Sequence, residues 1–90
     1  MKGLCNVILH VNHQTGCLCS LNEHGEFVIA RLVSGDGIAT GDLIIDNHMT
    51  IGPVSVFNAT QDIWLTVDVH CRTRSEGYAR HLLTTWTTAH

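Results

Sequence analysis

The residue types best suited to chemistry cluster near the N-terminus, in His10-Val11-Asn12-His13-Gln14-Thr15-Gly16-Cys17-Leu18-Cys19. A tetrahedral zinc site takes imidazole and thiolate ligands, and His10, His13, Cys17 and Cys19 supply both. The spacing argues against a chelate. Structural zinc sites usually set paired cysteines around a tight turn, whereas Cys-x-Cys on a strand sends both thiols to one face. The favoured reading makes Cys17 and Cys19 small core residues and leaves the histidines solvated. A metal-binding protein built on His10, His13, Cys17 and Cys19 is an alternative. No cofactor is expected.

A second candidate is basic. Arg72, Arg74 and Arg80 lie close together in the sequence, Arg31 stands apart, and Lys2 is the single lysine. If Arg72 and Arg74 flank a helix N-terminus, they add to an end that already favours anions. A nucleic-acid-binding barrel using Arg31, Arg72, Arg74 and Arg80 is therefore another alternative. Against it, the formal net charge is −3, and strong phosphate binding draws on clustered Lys and Arg. Glu76 lies four residues before Arg80, the favourable order for a helical ion pair. Arg72 is its other possible partner.

Catalytic motifs are missing. No nucleophile elbow, phosphate loop or His-Glu-x-x-His sequence occurs. Ser34-Gly35-Asp36-Gly37 is glycine-rich but lacks a following lysine and a helix start, so it reads as a wide hairpin loop. A domain this small has little room for a deep pocket of the usual few hundred Å³. The chain is expected not to be an enzyme.

Ninety residues make one domain, 1–90, with a limited core. Hydrophobic residues are 44% and charged residues only 14%, which excludes a disordered chain and leaves a thinly charged surface prone to association. The start, Met1-Lys2-Gly3-Leu4-Cys5-Asn6, has no long apolar stretch of a signal peptide. No apolar run approaches the ~20 residues that cross a membrane. The expected setting is the reducing cytoplasm, with free thiols. Asn58-Ala59-Thr60 fits a glycosylation acceptor but carries no meaning without secretion.

The elements that position these residues follow from periodicity. Leu4–Val11 is a predicted strand with Cys5, Val7, Leu9 and Val11 on one face and Ile8 opposite. Cys17–Leu21 and Glu26–Val33 form a hairpin around Asn22-Glu23-His24-Gly25. The second of these strands is apolar on both faces and reads as central. Thr40-Gly41-Asp42 is a turn before Leu43-Ile44-Ile45, and 46–53 is a longer loop. Val54–Ala59 is the fifth strand. In the sixth, Ile63, Leu65, Val67, Val69 and Cys71 alternate with Trp64, Thr66, Asp68 and His70. Phe27 or Val28 is expected to meet that apolar face in the core. Thr73-Arg74-Ser75-Glu76 matches a capping box. It opens an amphipathic helix at about 74–86 with Tyr78, Leu82 and Trp86 on one stripe, flanked by Ala79 and Leu83.

Strand, turn, strand, then Gly-Asp and a further strand, carried by Cys17–Val33 and Gly41-Asp42-Leu43-Ile44, resembles OB-fold and SH3-like small barrels. The aromatic pattern of cold-shock or RNA-recognition sheets is absent. The expected fold is mainly β: a small antiparallel barrel or rolled sheet of five to six strands in meander order, with one C-terminal helix. The helix is expected to cover the Trp64 face, with Trp86 nearby.

The expected function is a non-enzymatic binding module that self-associates as a two-fold homodimer, with another protein as the alternative partner. Its contacts would be Trp64, Tyr78 and Trp86.

Overall fold

The computed structural model describes residues 4–34, 37–46 and 51–89. Six strands precede one helix: β1 (Leu4–Val11), β2 (Cys17–Asn22), β3 (Phe27–Ser34), β4 (Leu43–Asp46), β5 (Gly52–Asn58), β6 (Ile63–Thr73) and α1 (Glu76–Ala89). The strands close into a barrel in the order β1-β2-β3-β6-β5-β4, with every pairing antiparallel. Closure pairs every strand on both sides and so removes the sheet edges that invite aggregation.

The expected single meander is corrected. β1-β2-β3 and β4-β5-β6 are each meanders, but β3 pairs with β6 and β4 returns to pair with β1. A fourth strand lying beside the first is the Greek-key arrangement. The segment after β3 is consequently a crossover between strands that are not neighbours, not a hairpin loop. Residues 35–36 of that glycine-rich segment and residues 47–50 of the predicted long loop lie outside the described residues.

The barrel interior is mostly apolar, with Asn6, Ser20 and Asn58 also fully buried. Ile8, Leu18, Val28, Ala30, Ile38, Ile44, Val56, Leu65, Val67 and Val69 are buried in one cluster. The predicted face of β6 is therefore inward, and Val28, not Phe27, meets it. Phe27 packs outside the barrel, in a second cluster with Cys19, Ile29, Ala79, Cys71, Leu82 and Leu83 beneath α1. This explains why β3 is apolar on both faces: one lines the interior and the other carries the helix.

Three register shifts interrupt the sheet, one of them between Leu32 and Ser34 at the end of β3, and the other two alter the simple alternation. In β1 the register with β2 shifts between Ile8 and His10. The extra residue, Leu9, lets both Ile8 and Val11 pack in the interior, so Val11 does not share a face with Leu9 as alternation predicts. In β6 the register with β3 shifts at His70, between Val69 and Cys71. Cys71 consequently joins the helix-facing cluster instead of the interior.

The helix starts later than the capping box predicts, and its packed face is turned slightly from Tyr78 toward Ala79. The Ser75 hydroxyl, not Thr73, caps it by accepting a bond from the Tyr78 amide at 3.1 Å, and Thr73 Oγ1 accepts from the Ser75 amide one turn earlier. Glu76 sits in the first turn, where a negative charge suits the helix dipole. The stripe against the barrel is Ala79, Leu82 and Leu83. Tyr78 points outward and is 50% exposed. Among the described residues, no helix is long and apolar enough to cross a membrane.

Candidate functional site

Trp64 is the most exposed aromatic side chain described, at 70% of its accessible surface. It stands outward on β6, because Ile63 and Leu65 on either side turn toward the interior. α1 packs on β2, β3 and the far end of β6 and leaves Trp64 bare. The expectation that the helix covers this face is overturned, since the Greek-key order carries the helix from the end of β6 over β3 and β2, away from β5.

The strand register extends the apolar surface sideways. Cys5 pairs with Ile45, Ile45 with Phe57, and Phe57 with Trp64. All four lie on the outer side of β1, β4, β5 and β6, and the first three are half-buried. The Phe57 and Trp64 rings meet at a centroid distance of 5.3 Å and an interplanar angle of 54°, within the range of favourable tilted aromatic pairs. The neighbouring outward pair is Ser55 and Thr66, both uncharged. Sequence reasoning singled out Trp64 but missed Phe57 and Ile45. Their signal was present: Phe57 falls between inward Val56 and Asn58, so alternation places it outside.

Tyr78 does not join this row. It lies just past the C-terminal end of β6, whereas Trp64 lies at its N-terminal start, eleven strand residues being counted from end to end. Trp86 lies on α1, and its side chain falls outside the described residues.

The His/Cys cluster is partly brought together. Cys17 and Cys19 are buried, while His10 and His13 are exposed. His10 and Cys19 are cross-strand neighbours, but Cys17 pairs with Arg31 and His13 sits in the turn. Among the described residues, no three His, Cys, Asp or Glu side chains converge as metal ligands. Burial, with the charge of Glu76 adding to it, pushes the Cys19 thiol up to about 11, so the thiol is neutral near pH 7 and a poor nucleophile.

The four arginines are dispersed and engaged in structural contacts. Arg31 Nε donates to the Thr15 carbonyl at 3.2 Å, at the β1–β2 turn. At the other end of β3, Arg72 Nη2 donates to Glu26 at 2.9 Å and Arg74 Nη1 to the His24 carbonyl at 2.8 Å. Arg80 bonds Glu76 at 2.7 Å. Glu76 thus takes Arg80 as expected, and Arg72 pairs with Glu26 instead. The Asn22 side-chain amide and the Arg72 guanidinium bond Glu26 and hold its carboxyl below the usual range, with the charges of Arg72 and Arg74 adding to the effect. These bonds staple the end of β6 to the β2–β3 hairpin.

A buried polar clasp closes the opposite end of the barrel. Asp42 Oδ2 accepts bonds from the Ala39 amide at 3.0 Å, Asn58 Nδ2 at 2.8 Å and Gln61 Nε2 at 3.3 Å. Asn58 Nδ2 also reaches the Gly37 carbonyl at 2.8 Å. Burial alone would raise the Asp42 carboxyl, but these three donors outweigh it and hold the group below the usual range. Asn58 is fully buried in this clasp, which removes the Asn58-Ala59-Thr60 acceptor from the accessible surface. The clasp ties the crossover to the β5–β6 turn.

Two hollows open on the surface of the barrel, neither of them a deep pocket. One, about 640 Å³, lies at the barrel end between Val11, His13, Leu32, Ile38 and Gln61. The other, about 380 Å³, runs between β1 and α1. Compared with protein-family models, with curated proteins and with solved structures, the chain matches none.

Proposed function

We propose that this barrel is a non-enzymatic interaction module that pairs with a second copy of itself through the row Ile45, Phe57 and Trp64. The observation that carries the reading is the 70% exposure of Trp64 beside a tilted Phe57, on a barrel wall that no helix covers. A Trp left in water forfeits a large apolar contribution, and exposed apolar patches mark interaction sites. The row is flanked by uncharged Ser55 and Thr66, so two copies meet without opposing charges. Only 14% of the chain is charged, which weakens long-range repulsion between copies. A two-fold contact, in which the same patch serves both partners, is the commonest solution. The four free cysteines suit a reducing compartment, and we place the module in the cytoplasm.

Sedimentation velocity at micromolar concentration tests the proposal. Wild type is expected at twice the 9.9 kDa chain mass, and Trp64→Ser at the monomer mass with an unchanged far-UV circular dichroism spectrum. A monomeric wild type refutes self-association. Dimers that survive Trp64→Ser move the interface elsewhere.

A further inference from the structure

We propose that in the dimer each Trp64 indole seats in the hollow at the barrel end of the other copy, a reciprocal exchange of one aromatic knob for one hole. The inference rests on the self-association proposed above and names where the exposed indole goes. Knob and hole lie at the same end of the barrel. Gln61, in the β5–β6 turn, lines the hollow, as does Gly37. Gly37 lies against Ile63, since a Cβ on it would meet Ile63 Cδ1 at 2.6 Å. Trp64 is the next residue, turned outward. A two-fold axis that puts one indole into the second copy's hollow also puts the second indole into the first copy's.

The shape and chemistry of the hollow suit an indole. At 70% exposure Trp64 stands above the half-buried Ile45 and Phe57. A protruding ring is desolvated more fully in a concave seat than against a second convex barrel wall. Val11, Leu32 and Ile38 supply apolar wall, and the volume of about 640 Å³ leaves ample room. None of the lining residues is Asp, Glu, Lys or Arg, so a charged occupant would leave water without a counter-charge. The rim also matches the one polar group of an indole, a single N–H donor. Gln61 Nε2 donates to Asp42 Oδ2 at 3.3 Å. A carboxylate only accepts, so this bond fixes the amide and leaves Oε1 as the acceptor, 3.9 Å from where a Cβ on Gly37 would stand.

The test mixes ¹³C-methyl-labelled with unlabelled protein and reads nuclear Overhauser contacts between copies. The Trp64 ring is expected to contact the Val11, Leu32 and Ile38 methyls of the other copy. A dimer in which Trp64 contacts only Ile45, Phe57 and Trp64 of the other copy overturns the seat and leaves the row as the interface. A monomer, or a dimer with no contact at Trp64, overturns both. A double-mutant cycle tests the hydrogen bond. Gln61→Leu should weaken dimerisation about tenfold, the effect of leaving a buried donor unmet. It should have no effect in a Trp64→Phe background, which keeps a ring and lacks the N–H. Damage to the Asp42 clasp would act in both backgrounds, so an equal loss in both, or no loss in either, overturns the assignment of Gln61.

Discussion

Phe57 and Trp64 face each other across β5 and β6, with ring centroids 5.3 Å apart and planes inclined at 54°. The pair fixes the orientation of an indole that is otherwise largely in solvent. A preorganised aromatic loses little side-chain freedom on binding, which is what makes such groups effective interface anchors. Removing Phe57 should therefore weaken association even where Trp64 is retained. Phe57→Ala is expected to lower the dimer affinity by about tenfold, a coupling of the size measured for aromatic pairs, as read from concentration-dependent sedimentation. Unchanged affinity would show that the pair does not organise the contact.

The interior account is tested at Leu65, buried in the β6 face that meets Val28. Leu65→Ala should cost about 2–5 kcal/mol, the transfer and cavity terms together, in urea-induced unfolding. Two other substitutions locate the helix cap. Ser75→Ala should cost about 0.5–2 kcal/mol, because the Tyr78 amide loses its acceptor. Thr73→Ala should cost less, since Thr73 caps no helical amide. The reverse order would restore the Thr73 capping box.

Acid should loosen both ends of the barrel. Asp42 and Glu26 both have carboxyls held below the usual range in the folded state. For such groups the stabilisation is fully present above the unfolded pKa, about 4 for carboxylates, and is lost as pH falls through the depressed folded value. Urea unfolding should accordingly show stability flat near neutrality and falling in the acid range below about pH 4. Asp42→Asn should shallow that fall while lowering stability at pH 7. An acid limb unchanged by Asp42→Asn would remove the clasp from the explanation.

Thiol reactivity should divide the four cysteines by burial. Cys5 and Cys71 are half-buried, and Cys17 and Cys19 are buried. Burial and Glu76 keep the Cys19 thiol protonated up to about 11. At pH 8, Ellman's reagent should label Cys5 and Cys71 first and reach Cys17 and Cys19 only as the protein unfolds. Fast labelling of Cys19 in the folded protein would contradict the packing of α1.

Much of this fold is legible in the sequence because the signals are local. The alternation from Ile63 to Val69 identifies an inward face, and Gly25 marks the β2–β3 turn, where its φ is +78°. Pairing order is not local. Nothing in the spacing of Leu43-Ile44-Ile45 says that it returns to β1. The bulges at Leu9 and His70 are hidden for a related reason: an inserted residue flanked by apolar neighbours leaves a plausible alternation on either side. Periodicity places Leu82 on the packed face with Ala79 and Leu83 beside it, but it does not decide between Tyr78 and Ala79, which offer adjacent stripes; the small Ala79 wins where the helix must sit close to Ile29. For the candidate site, Trp64 was visible as an outward aromatic, but which wall the helix leaves bare depends on the strand order.

The measurement that bears most directly on the central claim is the solvent access of Trp64 as a function of concentration. The chain has two tryptophans, so Trp86→Phe leaves Trp64 as the sole indole emitter. Acrylamide quenching of that variant should be weak at high micromolar concentration and rise several-fold on dilution into the nanomolar range, as copies separate and water reaches the ring. Strong quenching at every concentration would show that Trp64 never enters an interface between copies, and would contradict the account.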